Sequence, residues 1–357
     1  MTKIPTPKKA RIFLNQTGQE DNIGDIILRR GFTNIIRGNA EIHSFVGRHS
    51  KDYCESLCQE GDVLYTSKKK WLIAMAMSAL SQKTHYFEKP GELQAKRWSP
   101  LQVVALNAVM RLLHIRGGRA FFTGIGFRRM PAGIEAKLAR WMLSPFTLIA
   151  WRDVTSQRSL ALGTTMPDWA FAEYQGEAVG AARPGLLRDK LVVSFRSDRP
   201  QLSPEWVKAV ANWAKLNNLE VVTTWQVARD KPKAEFLADC LGGTYLDFSD
   251  DTESRLRELY RSAKVVLSDR LHVLIVASLE GALPVSITEW PEEKIGRHFA
   301  AAGYEKVSYS IAPSESSSID QILSLQFSRA PELERSLSSS KARIDEVAKE
   351  ILQSMAC

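Results

Sequence analysis

Ser268-Asp269-Arg270-Leu271-His272 stand between an apolar run, Val265-Val266-Leu267, and a second apolar stretch from Val273 to Leu279, with Gly281 and Pro284 beyond. This pattern reads as a buried strand handing the chain into the N-terminus of a buried helix. Basic groups in a first helical turn oppose the positive end of the helix dipole, so Arg270 and His272 there require an anion. An anion held by Arg270, by first-turn amides and by His272 resolves the conflict, with Ser268 or Asp269 as the cap. His272 is also of the type that exchanges a proton near neutral pH. A histidine satisfied within a core is the competing reading.

Further chemistry-bearing residues follow other apolar runs. Ser194-Phe195-Arg196 ends one of them, where a cation is costly unless it meets an anion, so Arg196 reads as an anion clamp or as the partner of Asp198. Asn22-Ile23-Gly24-Asp25 opens an amphipathic stretch: Gly24 can let a ligand approach helix-end amides, and Asp25 can cap the helix or accept from a sugar hydroxyl. Gly124-Ile125-Gly126 ends the run Phe121-Phe122-Thr123 and brings Arg128 and Arg129 after it, two guanidinium groups able to hold phosphate or carboxylate or simply to be solvated. Trp151-Arg152-Asp153 with Ser156 reads as a helix cap, with Arg152 left without an obvious local partner. The three-glycine dinucleotide fingerprint is missing.

The elements that must position these residues are strand-helix-strand units. Ala10 to Leu14, Glu41 to Val46 and Asp62 to Tyr65 alternate with amphipathic stretches, and further strands are expected at Thr84 to Phe87, Ala120 to Thr123 and Phe146 to Trp151. The periodicity lapses through Ala172 to Arg188, which contains Gly176, Gly180, Pro184 and Gly185, and then restarts. The expectation is an α/β protein of two Rossmann-like domains facing a central cleft: an N-terminal domain over 1–172, a linker over 173–189, a C-terminal domain over 190–329 and a terminal helix over 330–357. Ligands of such sheets bind beyond the carboxyl ends of the strands.

Composition narrows the class. Lys and Arg outnumber Asp and Glu by 48 to 40, a formal charge of +8, which favours an anionic partner. The cations are dispersed and not interleaved with aromatics, so no nucleic-acid partner is expected. No apolar run is long enough for a spanning helix and no signal core follows the basic Met1 to Arg11, so a cytoplasmic location is expected. Lys68-Lys69-Lys70 before Trp71 to Leu80 reads as a lysine-capped core helix, or as a peripheral contact with an anionic bilayer at the inner face of the cell membrane. Cys54, Cys58, Cys240 and Cys357 suit reduced thiols, and neither a metal nor a cofactor is expected.

In this order, Asn22 to Asp25, Gly124-Ile125-Gly126, Arg152-Asp153 with Ser156, Asp168 with Phe171, Ser194-Phe195-Arg196 and Ser268 to His272 with Gly281 and Pro284 resemble the polysaccharide pyruvyl transferase family. The resemblance spans Asn22 to Val285. Phe127 stands where a proline often follows the glycine loop, and Trp169 interrupts the family's Asp-Pro pair. The resemblance implies a fold similar to GT-B glycosyltransferases, phosphoenolpyruvate as donor substrate, and a saccharide acceptor, often in lipid-linked precursors of exopolysaccharide or capsule. It also implies that Arg196, Arg270 and His272 bind the donor, with Ser268 beside them. His272 is then the expected proton donor and Asp25 or Asp153 the base, while Asn22, Gly24, Gly124, Gly126, Arg128 and Arg152 belong to the acceptor side. A GT-B glycosyltransferase with a nucleotide-sugar donor, and a non-catalytic saccharide- or membrane-surface-binding component of an assembly complex, are the alternatives.

Overall fold

The computed structural model of the 357-residue chain describes residues 10–38, 40–93, 100–176, 187–248 and 252–356. Most of the basic N-terminus and residues 177–186 of the expected linker lie outside the described residues. Two compact units emerge. One comprises Ile26–Trp169 with the chain up to Glu20 and from Arg343 onward; the other comprises Asp21–Asp25 and Ala170–Ala342. The division falls between Trp169 and Ala170. Asp21–Asp25 groups with the second unit, and the terminal helix divides at Arg343, its end going with the first.

In chain order the first sheet and its helices are β1 (Arg11–Asn15), α1 (Ile23–Ile36), β2 (Glu41–Phe45), α2 (Lys51–Leu57), β3 (Val63–Tyr65), α3 (Lys68–Ser81), β4 (Thr84–Phe87), β5 (Gly91–Leu93), α4 (Pro100–Ile115), β6 (Ala120–Phe127), α5 (Gly133–Leu143), β7 (Leu148–Trp151), α6 (Val154–Leu160) and β8 (Thr164–Thr165). The strands are parallel in the order β3-β2-β1-β4-β6-β7-β8, with β5 pairing β6. One core runs under α3, α4 and α5, where Trp71, Met75, Met110, Leu113, Ala139 and Met142 pack with Phe13 and Phe122 of the sheet.

The second unit continues with β9 (Lys190–Ser194), α7 (Pro204–Leu216), β10 (Glu220–Thr223), α8 (Lys231–Leu241), β11 (Thr244–Tyr245), α9 (Thr252–Ser262), β12 (Ala263–Ser268), α10 (Leu271–Leu279), β13 (Leu283–Thr288), α11 (Glu293–Ala301), β14 (Ser308–Ser310), α12 (Ser318–Ser328) and α13 (Ala330–Ala356). Its strands are parallel in the order β11-β10-β9-β12-β13-β14, the doubly wound arrangement whose strand order reverses between β9 and β12. The valine-rich β9 and β12 are central, as strands covered on both faces must be. Eight of the nine residues of α10 are buried, which is why this helix carries no polar stripe apart from His272.

β5, β8, β14 and α12 are absent from the sequence expectation. The three strands are only two or three residues long and cannot show alternation, and the serines at either end of α12 resemble a loop.

Candidate functional site

The neighbouring strands β9 and β12 pair with Ser268 opposite Ser194, so their carboxyl ends emerge side by side at the point where strand order reverses. The Ser268 hydroxyl donates to the Ser194 carbonyl and accepts the Arg270 N–H at 3.0 Å. Ser268 is fully buried and therefore ties two strand ends together, a correction to its expected place as a donor ligand or cap. The N-cap of α10 is Arg270 itself, with φ −105° and ψ 118°, and no side chain caps the helix.

Asp269 also does something other than capping. Its Oδ1 accepts the Arg196 N–H at 2.9 Å, while its buried Oδ2 has no hydrogen-bond partner among the described residues. Burial pushes this carboxyl up to about 6, against the pull of the Arg196 N–H and of the Arg196 and Arg270 charges; nearby Asp230 adds to the rise. The Arg196 guanidinium forks onto Asp198 at 2.8 and 2.6 Å, the ion pair foreseen as its alternative. That contact, ahead of the Coulombic attraction, holds Asp198 down at about 2.

Arg270 donates through Nε to the carboxylate of Asp230, whose other oxygen accepts the Ser197 N–H at 3.0 Å. Its Nη2 is buried and has no partner among the described residues. An unmet donor of a buried cation costs roughly 1–3 kcal/mol or more, so an oxygen-rich anion here would be bound with that cost removed. Lys233 completes the cluster, giving its ammonium to the carbonyls of Pro200 at 2.6 Å and Arg199 at 3.3 Å; burial lowers its pKa although Asp269 and Asp230 oppose the shift. Sequence reasoning passed over Asp230 and Lys233. The available signal was their position just after β10, the strand beside β9.

His272 lies half-buried in the first turn of α10. A Cβ built on Gly24 would stand 2.3 Å from the His272 Cβ and 2.6 Å from its Nδ1, so the Asn22 to Asp25 segment packs directly onto the imidazole. Gly24 is glycine because His272 occupies the space, whereas the expectation was an approaching ligand. Asn22 Oδ1 takes the Gly24 N–H at 3.1 Å and the Asn22 carbonyl takes the Asp25 N–H at 2.9 Å. The cap is therefore Asn22, and Asp25 sits partly exposed in the first turn of α1.

The remaining acceptor-side expectations come together in the first unit, with structural duties. β6 runs through both glycines and does not end at them. Gly124 has φ +68° at a register shift against β7, and a Cβ there would be 2.1 Å from the fully buried Trp169 ring. A Cβ on Gly126 would be 2.5 Å from Asp153. Asp153 caps α6, accepting the Ser156 N–H at 2.8 Å and hydroxyl at 2.7 Å, while the Ser156 oxygen accepts the Phe127 N–H at 2.8 Å. Asp153 is thereby corrected from candidate base to buried helix cap. Arg152 pairs with Asp168 at 3.1 Å, both buried, which removes it from the acceptor side. Arg128 is exposed, and Arg129 forms a surface pair with Glu135.

Burial raises the Cys58 thiol to about 11, so it carries little thiolate at neutral pH. Among the described residues no group of three or more His, Cys, Asp or Glu could hold a metal ion, and no helix is long and apolar enough to cross a membrane.

A family model described as polysaccharide pyruvyl transferase matches residues 22–291. The chain belongs to that family. The matched region begins at Asn22 and includes Ser268 to His272, so both segments that meet at Gly24 and His272 lie within the pyruvyl transferase region. None of the curated proteins matches the chain. Among solved structures, Anabaena HepE in complex with UDP and glucose is similar at 12% identity and a TM-score of 0.54, over 98% of this chain and 99% of that one. Neisseria meningitidis UDP-GlcNAc 2-epimerase bound to UDP-GlcNAc is similar at 9% identity and 0.53, over 97% and 99%. The calicheamicin glycosyltransferase CalG4 is similar at 12% and 0.50, over 98% and 99%. At such identities the likeness concerns fold alone: parallel α/β sheets in two domains, as in GT-B glycosyltransferases.

Proposed function

We propose that this pyruvyl transferase family member moves the pyruvyl group of phosphoenolpyruvate onto two hydroxyls of a saccharide, forming a cyclic ketal in exopolysaccharide or capsule biosynthesis. The observation that carries this reading is the convergence of Arg196, Asp269, Arg270 and His272 on one strand-order reversal, with a buried Arg270 donor unspent. Phosphoenolpyruvate carries a phosphate and a carboxylate, which two guanidinium groups suit. Arg270 takes the phosphate, already aimed by Asp230. Arg196 leaves Asp198 for the carboxylate, its backbone held meanwhile by Asp269.

In the proposed reaction protonated His272 gives its proton to the methylene carbon, and a sugar hydroxyl adds to the central carbon, returning its proton to His272 directly or through Asp25. The bond from the central carbon to the phosphate oxygen then breaks, the electron pair leaving with phosphate. The second hydroxyl closes the ring and its proton leaves with the phosphate. One ketal and one phosphate result, with no oxidant or reductant. The acceptor is proposed to be a saccharide, free or lipid-linked, and the site of action the cytoplasm or the inner face of the cell membrane.

A nucleotide-sugar donor is the second reading, favoured by the UDP-bound neighbours that share the fold. A ligand of the native state raises its melting temperature, so stabilisation by phosphoenolpyruvate but not by UDP-glucose supports the first reading, and the reverse supports the second. The deciding assay is mass spectrometry of a candidate oligosaccharide after incubation with phosphoenolpyruvate, looking for a gain matching a pyruvyl ketal. His272→Ala should abolish that gain with little loss of stability; retained transfer would remove His272 from the chemistry. Vesicle binding without turnover of any donor would favour the non-catalytic reading.

A further inference from the structure

In the first unit α3, α4 and α5 pack side by side over one core. A helix covering a sheet normally turns polar residues outward. α3 does not: Trp71, Met75 and Ala79 face the core, yet Ile73, Met77 and Leu80, spaced along the opposite side, are 54%, 62% and 53% exposed. Val104 and Ile115 of α4 and Ile134 and Trp141 of α5 are exposed as well. Seven exposed apolar side chains on three helices that pack side by side are the kind of surface that marks an interaction face.

The charges carried by these three helices are one-sided. Lys68, Lys69, Lys70, Arg111, Lys137 and Arg140 are all exposed, whereas the only acidic residue in the three helices is Glu135, already paired with Arg129. A second copy of the same face would set these cations against one another, so self-association is opposed. Exposed apolar side chains accompanied on the same helices by exposed lysine and arginine, with a tryptophan among them, instead match the acyl boundary and anionic headgroups of a bilayer. We infer that the exposed face of α3, α4 and α5 docks on an anionic lipid bilayer, with the α3 lysines on the headgroups and Ile73, Met77 and Leu80 entering the interface. The inference needs nothing of the donor's identity, so it stands or falls apart from the pyruvyl-transfer reading.

The test is co-sedimentation of the full chain with phosphatidylcholine vesicles and with vesicles in which roughly a third of the lipid is phosphatidylglycerol. The expected result is capture by the anionic vesicles alone, weakened by salt. Each lysine near such a surface contributes about fivefold, so Lys68→Glu/Lys69→Glu/Lys70→Glu should weaken capture by a hundredfold or more, on the order of the summed effect. Ile73→Ser/Met77→Ser should weaken it as well. All these positions are exposed, so the variants should melt with the wild type; the single change Met77→Ser serves if a multiple variant does not fold. Absence of capture, or capture indifferent to both sets of changes, overturns the inference. So does a concentration-dependent dimer in sedimentation velocity that Met77→Glu abolishes, since the face would then be covered by a second copy.

Discussion

Replacing Asp269 by asparagine isolates the buried carboxylate beside Arg196 and Arg270. Asp269 is 3% exposed, gives Oδ1 to the Arg196 N–H, and has no hydrogen-bond partner for Oδ2 among the described residues. Its pKa rises from 3.8 to about 6, chiefly through burial. A carboxyl raised in this way costs stability when charged: the cost is absent below the unfolded-state value and develops as the pH rises towards and through the folded-state value. Two units of difference correspond to about 3 kcal/mol, of which about 2 kcal/mol develops between roughly pH 4.5 and pH 7.5. Asparagine keeps the shape and an oxygen for the Arg196 N–H but carries no charge, so the variant should lack this pH dependence. At about 2–4 °C per kcal/mol for a unit of this size, the melting temperature of Asp269→Asn relative to wild type should rise by some 4–8 °C between the lower and the higher pH. Calorimetry of both proteins at both pH values measures this, and the comparison cancels every other titrating group that the substitution leaves alone. An equal offset at the two pH values would refute the argument, because the carboxyl would then titrate as an ordinary exposed one.

Three further outcomes follow from contacts already described. Gly24→Ala puts a methyl 2.3 Å from the His272 Cβ, so the imidazole must move; transfer, followed by phosphate release, should fall on the order of a hundredfold, and a wild-type rate would break the link between the two segments. Asp198→Asn releases Arg196 from a half-exposed ion pair of small worth, so with phosphoenolpyruvate as the proposed donor its KM should drop by up to about fivefold with kcat little changed; a raised KM would mean that Asp198 aids the proposed clamp. Arg152→Met removes the buried guanidinium that pairs with Asp168, and thermal or denaturant unfolding should show a loss of about 3–5 kcal/mol; near-wild-type stability would mean that the pair contributes little to the fold.

The sequence by itself determined the alternation of strands and helices and the strand-end positions of Arg196 and Ser268 to His272. These are local properties: apolar periodicity, β-branched runs and breaks report what lies within a few residues along the chain. Only the tertiary structure decided what each charged group does. Arg270 meets Asp230, Asp269 holds the Arg196 backbone, Arg152 is spent on Asp168, and His272 fills the space left by Gly24. Spacing also suggested that Gly124 and Gly126 end a strand, yet they bring the sheet against Trp169 and Asp153. The physical reason is common to all of these. A parallel sheet joins strands through crossovers, so the partners that satisfy a buried ion or fill a missing side chain come from distant segments, and no local pattern names them.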